Sequence, residues 1–454
     1  MHDTIFALST VLGKSGVAVI RISGPQARAV AKLIGYEKEL EHKRATLATI
    51  YTLNREQVLD EVILLFFASP HSFNGEDILE IHLHGSIAII NDVLAELSKV
   101  TFLRIAEPGE FTKIAFYNGK MDLVKAEGLA DFLDAETSMQ KIIAQKQLRG
   151  ELSDTYNKWR TDLIGVLSQL EALIDFPEDD IPEEVLDWAA KTVQSLIEEI
   201  NLHLRGHDQG VSIMNGINIV ISGAPNVGKS SLMNLLAKKE IAIVSDIAGT
   251  TRDVIQVKLD LGGFAVLLSD TAGIREANDL IEKEGIRRAK QAIKEADINI
   301  IVLNSVADFI SHLDNFSDAE VIWMINKVDL MSRQDIASSI NLLTEKLAEF
   351  NREDEVGAIS TVSGYGIDNF LNLLQNKIKN KYQEAVLSPV TTRIRQKKGL
   401  EQCLTHLQQF NINKKLEIAS QDVRIASEYI GMLTGKIGVE EILDEIFSNF
   451  CIGK

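Results

Sequence analysis

The stretch Gly223-Ala-Pro-Asn-Val-Gly-Lys-Ser230 decides the fold of the middle of this chain. It follows an apolar run, Ile217-Asn-Ile-Val-Ile-Ser222, and precedes a helical run that begins at Ser231. Two glycines, a lysine and a hydroxyl residue at this spacing predict a loop whose backbone N–H groups surround phosphates. Lys229 would place a charge between the β- and γ-phosphates, and Ser230 would offer its hydroxyl to Mg²⁺.

Apolar runs like the one before this loop recur at 264–269, 298–303 and 321–326, with helical segments between them. Apolar strands that alternate with helices are typical of a parallel sheet covered on both faces. We therefore predict an α/β P-loop domain over residues 215–377.

Two further motifs are placed to contact the metal and the γ-phosphate. Asp270-Thr-Ala-Gly273 follows the next apolar strand, so its carboxylate should lie at the carboxyl end of that strand, facing Mg²⁺. Gly249-Thr-Thr-Arg-Asp253 lies in a preceding segment that we expect to be flexible. Either Thr250 or Thr251 could sense the γ-phosphate and complete the Mg²⁺ shell, and we select Thr251.

The motif Asn326-Lys-Val-Asp329 ends another strand and predicts recognition of guanine. Asp329 can accept hydrogen bonds from N1–H and the 2-amino group, neither of which adenine presents. Asn326 can reach the polar edge of the ring. Since buried polar groups left unpaired make adenine costly, the complete set of motifs predicts an enzyme that hydrolyses GTP.

The residue that follows Asp-x-x-Gly is Ile274, where Ras-like enzymes have a glutamine that orients the attacking water. An aliphatic side chain cannot bind water. Either hydrolysis is slow or another group acts, and Asn226 and Glu282 are the candidates.

The regions on either side of the P-loop domain have different patterns. Residues 1–118 alternate strand-like and helical runs, which predicts a small α+β domain. Residues 119–214 and 378–454 are rich in amphipathic helical segments, with helix expected from Pro389 to the end. The strand-like runs lie at 16–23, 60–67 and 77–84, and a helical run lies at 86–97. We predict a multidomain chain whose two helical parts pack together, with the α/β domain inserted between them.

Composition limits the possible environments and partners. No apolar run approaches the roughly 20 residues of a membrane-spanning helix, and the first residues lack a secretory signal, so we expect a cytoplasmic protein without membrane contact. Cys403 and Cys451 are the only cysteines, which fits a reducing compartment. The formal charge of −18 is the wrong sign for a broad nucleic-acid-binding face. Any RNA should therefore be held by a local basic patch or by a partner.

The sequence as a whole resembles the MnmE (TrmE) family of tRNA-modification GTPases, within the TrmE-Era-EngA-YihA-Septin-like GTPases. The resemblance covers essentially the full length. The segments that carry it are Gly223–Ser231, Ile243–Asp253, Asp270–Ala277, Pro108–Lys113, Asn118–Leu123 and the terminal Cys451-Ile-Gly-Lys454.

The resemblance implies a K⁺ ion that supplies the positive charge of an arginine finger. Its ligands would be Asn226, Ser245, Ile247 and Thr250, while Ser230 and Thr251 would bind Mg²⁺. Glu282 would orient the water through a second water, and two G domains would pair across their nucleotides. The implied nucleotide contacts are Gly223, Asn226, Val227, Gly228, Lys229, Ser230, Ser231, Ser245, Asp246, Ile247, Ala248, Gly249, Thr250, Thr251, Asp270, Thr271, Ala272, Gly273, Asn326, Lys327, Asp329 and Ser360.

For the N-terminal domain, the resemblance implies homodimerisation and a bound tetrahydrofolate derivative, in the 5-formyl or methylene form. The matching positions are Arg21, Glu80, Lys120 and Lys454. Arg21 and Lys120 could hold carboxylates, and Glu80 could accept from a pterin N–H pair. Without the resemblance, the sequence favours reading Arg21, Glu80 and Lys120 as surface charges on strand or turn positions.

The family also implies a role for the terminal cysteine and for a partner. Cys451 could be a nucleophile in the modification chemistry, and the alternative is a reduced surface thiol. The implied reaction places a carboxymethylaminomethyl or aminomethyl group on the wobble uridine of tRNAs, in a heterotetramer with the flavoprotein MnmG, which would hold much of the tRNA. The competing hypothesis is a regulatory GTPase switch in ribosome assembly.

Two segments depart from the family pattern. Ile359-Ser360-Thr361 stands where a Ser-Ala pair is usual, which affects the position of Ser360 behind the guanine. The segment 11–16 replaces a stretch richer in proline and glycine, which affects the shape of the folate pocket.

Overall fold

The computed structural model describes residues 3–175, 183–239, 242–243, 256–270, 287, 290–309, 320–438, 443, 446–448 and 450–453, without the side chain of residue 183. The chain divides into two compact units. Unit 1 comprises Met1–Ala130, Gln147–Ala189 and Thr405–Lys454, and unit 2 comprises Asp131–Lys146 and Ala190–Leu404.

A six-stranded sheet with the strand order β3-β4-β5-β2-β1-β6 forms the N-terminal part of unit 1. Its strands are β1 Thr4–Leu8, β2 Ala18–Ser23, β3 Ala45–Tyr51, β4 Val58–Phe67, β5 Ile78–Leu83 and β6 Leu103–Ile105. The sheet is antiparallel except for the β1–β6 pair. Helices α1 Ala27–Leu33 and α2 Ile87–Leu97 lie between these strands in sequence, and α3 Glu110–Tyr117 follows β6.

One face of this sheet forms a hydrophobic core, and buried and more exposed positions alternate along its strands. In β4, Val62, Leu64 and Phe66 are buried, while the residues between them are more exposed. In α2, Ile90 and Val93 are buried one turn apart and belong to the same core. The opposite face of the sheet carries the charged residues discussed below.

Long helices complete the two units. Their bounds are α4 Leu123–Asp134, α5 Ser138–Arg149, α6 Glu151–Asp175, α7 Glu183–Arg205, α8 His207–Asn215, α9 Lys229–Ala237, α10 Arg333–Glu349, α11 Ile367–Leu387, α12 Ile394–Gln409 and α13 Leu416–Thr434. In unit 1, α6 packs along α13, and Arg424 of α13 pairs with Glu171 of α6. Helices from both sides of the P-loop domain therefore contact each other.

The sheet of unit 2 has the strand order β12-β11-β10-β7-β9-β8. Its strands are β7 Ile217–Ser222, β8 Gln256–Leu261, β9 Phe264–Asp270, β10 Ile298–Leu303, β11 Glu320–Ile325 and β12 Glu355–Ala358. The five strands from β12 to β9 are mutually parallel, and β8 pairs antiparallel with β9. Strand β10 is buried along its whole length, as expected for a sheet covered on both faces.

One carboxylate joins three elements of unit 2. The side chain of Asp297 accepts from the hydroxyl of Ser212 at 3.0 Å, from the backbone N–H of Asn218 at 2.9 Å and from the hydroxyl of Tyr382 at 2.8 Å. Asp297 directly precedes β10, so its carboxylate holds helix α8, the start of β7 and helix α11 next to the beginning of that strand. Burial and the adjacent Asp297 raise the pKa of Tyr382, so its hydroxyl stays protonated and remains a donor.

The predicted multidomain fold class, with an α+β domain, a helical domain and an inserted P-loop domain, is confirmed. The domain boundaries at 118, 214 and 377 stay a prediction. Two expectations are wrong in part: the sheet of unit 2 has an antiparallel edge strand, and the helix expected after Pro389 is interrupted at residues 410–415. Among the described residues, no helix has both the length and the apolar character needed to cross a bilayer.

The pH dependence of stability provides a test of the packing around α7. Burial lowers the pKa of His203 to about 4, and the nearby His207 adds to this shift. The folded protein then excludes a proton that the unfolded chain binds below pH 6.5, the ordinary pKa. This stability is present above pH 6.5 and is lost as the pH falls toward 4. At pH 5 we expect a loss of about 2 kcal/mol in the opening free energy of β10 and β11, measured by hydrogen exchange.

His203→Gln should remove most of this pH dependence, whereas His71→Gln, which changes an exposed histidine, should retain it. An identical loss of stability in the two variants between pH 7 and pH 5 would contradict the assignment.

Candidate functional site

The phosphate-binding loop connects β7 to α9 and depends on two glycines. Gly223 has φ +142°, and a Cβ there would lie 2.2 Å from the carbonyl oxygen of Val302 in β10. Gly228, at the N-cap of α9, has φ +104°, and its Cβ would lie 2.2 Å from Nδ2 of Asn326. Both positions combine a left-handed backbone with a close approach, so a side chain is excluded from each.

Lys229 is the first residue of α9 and is 6% exposed. Its ammonium group donates to the carbonyl oxygens of Gly223 at 3.1 Å and Ala224 at 2.9 Å. These bonds hold the charge inside the curve of the loop, where the N-terminus of α9 also favours anions. The sequence prediction for Lys229 as a phosphate ligand therefore has the geometry that it needs.

Ser230 and Asp270 come together although they are 40 residues apart in sequence. The hydroxyl of Ser230 donates to Oδ2 of Asp270 at 2.6 Å, and Asp270 is 2% exposed at the end of β9. A hydroxyl and a carboxylate oxygen are ligands that suit Mg²⁺, so this pair fits the ion that GTPases use. Ser230 would bind the ion directly, and Asp270 would hold it from the adjacent strand.

The guanine-reading turn is fixed to the phosphate loop by Asn326 and Lys327. Asn326 is buried, donates from Nδ2 to the carbonyl oxygen of Val227 at 2.7 Å and accepts from the N–H of Thr361 at 3.3 Å. The ammonium of Lys327 donates to the carbonyl oxygen of Asn226 at 2.8 Å. Asn326 was expected to reach the base, but in this structure its amide joins two loops. Sequence reasoning missed this role, because it depends on contacts with residues far away in sequence.

Ser360 orients the carboxylate of Asp329, which is predicted to read guanine. Its hydroxyl donates to Oδ1 of Asp329 at 2.6 Å and accepts from the N–H groups of Val362 at 3.3 Å and Ser363 at 3.0 Å. Ser360 is buried and Asp329 is exposed, so the carboxylate is held from behind while its front faces solvent. The segment Ser360-Thr361, which stands where a Ser-Ala pair is usual, keeps this serine. The backbone N–H of Thr361 donates to the side-chain oxygen of Asn326.

Several predicted site residues lie outside the described part of the chain. They are Ser245, Asp246, Ile247, Ala248, Gly249, Thr250, Thr251, Thr271, Ala272, Gly273, Glu282 and Lys454. Ser231 is exposed in the first turn of α9, and Val227 is buried in the loop. The roles assigned to all these residues stay predictions.

A second candidate site lies on the charged face of the N-terminal sheet. Arg21 of β2 stands directly opposite Glu80 of β5, and its Nε and Nη2 donate to Oε1 of Glu80 at 3.1 and 2.9 Å. Both residues line a cavity of about 290 Å³. The lining residues are Arg21, Phe67, Phe73, Ile78, Glu80 and Leu129. The structure thus brings two of the predicted folate contacts together in one concave, partly aromatic site.

The charge of Glu80 is stabilised within this cavity. A hydrogen bond to His82, at 3.2 Å between Nε2 and Oε2, holds the pKa of Glu80 below its ordinary value. Partial burial acts in the opposite direction, and the charge of Arg21 again lowers the pKa. The carboxylate is therefore ionised at neutral pH and presents acceptor oxygens to a ligand.

Lys120 does not line this cavity. Its ammonium donates to the carbonyl oxygen of Pro70 at 2.6 Å. Asn118 donates to the carbonyl oxygen of Asn74 at 2.8 Å, so both residues hold the loop that carries Phe73. Phe67 and Phe73 were missed at the sequence level, since an aromatic residue near a strand end usually signals only core packing.

The terminal segment lies beside the same domain. Cys451 is exposed, and its carbonyl oxygen accepts from the N–H of Gly109 at 3.4 Å. Ile452 forms an antiparallel bridge with Pro108, and Arg21 donates from Nη1 to the carbonyl oxygen of Gly453 at 3.5 Å. Residues 451–453 are thus held through their own backbone groups, by both backbone and side-chain partners.

The fold and the nucleotide site define the class: the protein is a P-loop GTP hydrolase. Residues 123–451 match the family model described as the MnmE helical domain, and residues 4–120 match the model described as the GTP-binding protein TrmE N-terminus. The chain belongs to the MnmE family, whose curated members are named tRNA modification GTPases.

Relatives from several bacteria match over the full length. The tRNA modification GTPase MnmE of Wolbachia sp. subsp. Drosophila simulans (strain wRi) is 44% identical over 459 residues, covering 100% of this chain and 99% of that protein. The protein of the same name from Rickettsia rickettsii (strain Sheila Smith) is 42% identical over 458 residues, covering 100% of both. Among solved structures, Aquifex aeolicus Era bound to GDP and aluminium fluoride is 26% identical over 35% of this chain and 56% of that chain, with a TM-score of 0.29. A score this low carries no argument.

The recognition of guanine can be tested at Asp329. Asp329→Asn replaces an acceptor by a side chain that also donates, so the 2-amino group of GTP loses its partner while the 2-oxo group of xanthosine triphosphate gains one. We expect GTP affinity to fall by about 100-fold or more and xanthosine triphosphate affinity to rise. Equilibrium titration with fluorescent nucleotides measures both.

Asp368→Asn is the matched control, because it changes an exposed aspartate that pairs with Lys239 in the same unit. Unchanged nucleotide preference in Asp329→Asn would show that another group reads the base.

Proposed function

We propose that this protein is a K⁺-dependent GTP hydrolase that acts with the flavoprotein MnmG to modify the wobble uridine of tRNAs. The group added at C5 is of the carboxymethylaminomethyl or aminomethyl type, and a tetrahydrofolate derivative supplies the one-carbon unit. The observation that carries the proposal is the full-length match to proteins named tRNA modification GTPases, joined to a cavity with a paired arginine and carboxylate in the N-terminal domain.

The proposed dependence on K⁺ rests on the family resemblance, and it is supported by Ile274 in place of a glutamine and by the position of Asn226. Asn226 is exposed at φ +61°, and its carbonyl oxygen is engaged by Lys327. The backbone is therefore fixed while the side-chain amide extends from the loop, where its oxygen can bind a monovalent cation. Together with Ser245, Ile247 and Thr250, it would hold a positive charge against the developing charge of the transferred phosphoryl group.

Water activation is then left to the second switch segment. Glu282 is the residue that we assign to orienting the attacking water, because Ile274 cannot do so. Thr251 would complete the Mg²⁺ shell begun by Ser230. Pairing of two G domains across their nucleotides would exclude solvent from the reaction.

The N-terminal cavity fits a reduced pterin. Its volume of about 290 Å³ is close to the lower end of small-molecule sites, and Phe67 and Phe73 provide flat apolar walls. The ionised carboxylate of Glu80 can accept from adjacent N–H groups of a pterin, and Arg21 keeps donors for a carbonyl or carboxylate. Lys120 and Lys454 would act at the rim, and the bound group would contribute its one-carbon unit.

The remaining features of the proposal concern assembly and location. The protein forms a homodimer through its N-terminal domain and a heterotetramer with MnmG, and it works in the cytoplasm. Because the net charge is −18, we assign most of the tRNA contact to MnmG. A role as a ribosome-assembly switch is the weaker alternative, since the full-length relatives are named for tRNA modification.

The first test of the proposal concerns the cation. Replacing K⁺ by Na⁺ should slow GTP hydrolysis at least ~100-fold while nucleotide affinity changes little, since the missing charge acts mainly in the transition state. Asn226→Ala in K⁺ should have the same effect. Phosphate release and equilibrium nucleotide binding measure the two quantities.

The variant Asn226→Gly distinguishes the effect of losing the side-chain amide from the effect of backbone strain. Because Asn226 has φ +61°, alanine adds strain there and glycine does not. An equal loss of hydrolysis rate in Asn226→Ala and Asn226→Gly would show that the missing amide causes the effect. Hydrolysis in Na⁺ at the K⁺ rate would rule out the cation mechanism.

The second test is the nucleoside composition of tRNA. Cells that lack this protein should lose the C5 modification at the wobble uridine, and they should regain it with the wild-type gene but not with Ser230→Ala. Mass spectrometry of digested tRNA measures the modified nucleoside. Wobble uridines that stay fully modified in the deletion strain would reject the modification role and favour the ribosome-assembly alternative.

A further inference from the structure

The tail residues 451–453 are anchored to the N-terminal domain at both ends. At one end, the carbonyl oxygen of Cys451 accepts from the N–H of Gly109, and Ile452 bridges to Pro108. At the other end, the hydroxyl of Ser9 donates to the carbonyl oxygen of Gly453 at 3.1 Å. The second anchor uses a side chain, so a single substitution can remove it.

Gly453 can be held in this way only because it lacks a side chain. Its φ is +98°, and a Cβ would lie 2.3 Å from the carbonyl oxygen of Leu8 and 3.0 Å from Cα of Ser9. These contacts are with backbone atoms at the end of β1, which cannot move aside cheaply. Any larger residue would therefore push the tail away from the strand.

Arg21 connects this anchor to the cavity. One edge of its guanidinium binds Glu80, and Nη1 donates to the carbonyl oxygen of Gly453 at 3.5 Å. The guanidinium carbon also lies 5.7 Å from the ring centres of both Phe73 and Phe111. Since the guanidinium is a rigid plane, its orientation at Glu80 sets the position of the donor that faces Gly453.

We infer that Ser9 and Arg21 are positioning residues that hold the tail by the Gly453 carbonyl, and that Arg21 couples occupancy of the cavity to the mobility of the tail that carries the exposed Cys451 thiol. This inference rests on the proposed function, because it concerns the same cavity. A ligand that hydrogen-bonds to Glu80 fixes the Arg21–Glu80 pair. The fixed guanidinium strengthens the anchor, and the tail moves less freely.

The rate of alkylation of Cys451 by iodoacetamide in the full-length protein measures this anchoring. Peptide mass spectrometry separates Cys451 from Cys403, which is buried and whose pKa is raised by burial to about 12. Ser9→Ala and Gly453→Ala should each raise the Cys451 rate by about 2- to 10-fold, the range expected for one ordinary hydrogen bond. Ser9→Thr, which keeps the hydroxyl, should restore the wild-type rate.

Two control variants match these changes. Ser98→Ala removes a hydroxyl that bonds to Leu94 within its own helix. Gly438→Ala adds a Cβ at another glycine with positive φ, where the added atom would lie 3.7 Å from a methionine side chain, at ordinary contact distance. Both controls should alkylate at the wild-type rate. All variants should keep the thermal unfolding transition of the wild-type protein, which confirms that the altered unit is folded.

The coupling is measured by adding 5-formyltetrahydrofolate. In the wild-type protein it should slow alkylation of Cys451 by about 2-fold or more, and in Gly453→Ala this protection should disappear although calorimetry still detects binding. Equal alkylation rates in ligand-free wild type, Ser9→Ala and Gly453→Ala would overturn the anchor. Folate binding without protection in the wild type would overturn the coupling and leave the folate proposal intact. Absence of folate binding to the wild type would overturn the coupling together with the folate part of the proposed function.

Discussion

The close approach of Asn326 to the phosphate loop is the constraint on which the nucleotide site depends. Parallel strands bring their carboxyl ends to one edge of the sheet, so β7 and β11 deliver their loops to the same place. The 2.7 Å bond from Asn326 to the Val227 carbonyl then fixes the distance between the loop for phosphates and the turn for guanine. Only glycine fits at position 228, since a Cβ there would contact the same amide. A nucleotide that spans both loops thus meets a preformed site.

The N-terminal site is built by a different property of β-sheets. In an antiparallel pair, residues directly opposite share one face, and this register places Arg21 against Glu80. Half-buried charges cost solvation energy, which close pairing and additional hydrogen bonds must offset. Here His82 supports the carboxylate, and Phe73 and Phe111 flank the guanidinium. The carboxylate of Glu80 therefore stays ionised inside a cavity that can select a polar, flat ligand.

The two candidate sites are built from different kinds of contacts. The candidate GTP site is built on fixed backbone loops, while the proposed K⁺ ligands Ser245, Ile247 and Thr250 and the proposed water-orienting Glu282 lie outside the described residues. The N-terminal site relies on side chains and on the terminal residues 451–453, which are held against β1 by Ser9 and Gly453. Membership of the MnmE family accounts for the presence of both. In this chain, Arg21 both lines the cavity and donates to the carbonyl oxygen of Gly453 in the tail.

The sequence by itself determined the features that depend on short segments: the phosphate loop, the strands that precede Gly223 and Asp270, the guanine motif and the apolar faces of the helices. Each is specified by neighbours within a few residues, so local pattern is sufficient. Only the tertiary structure decided the antiparallel strand β8, the bracing role of Asn326, the attachment of Lys120 to Pro70 and the docking of Gly453 against β1. The partners in these contacts are distant in sequence, and hydrogen-bonding groups do not specify which distant group will satisfy them. That choice is made when the packed core fixes which backbone groups face each other.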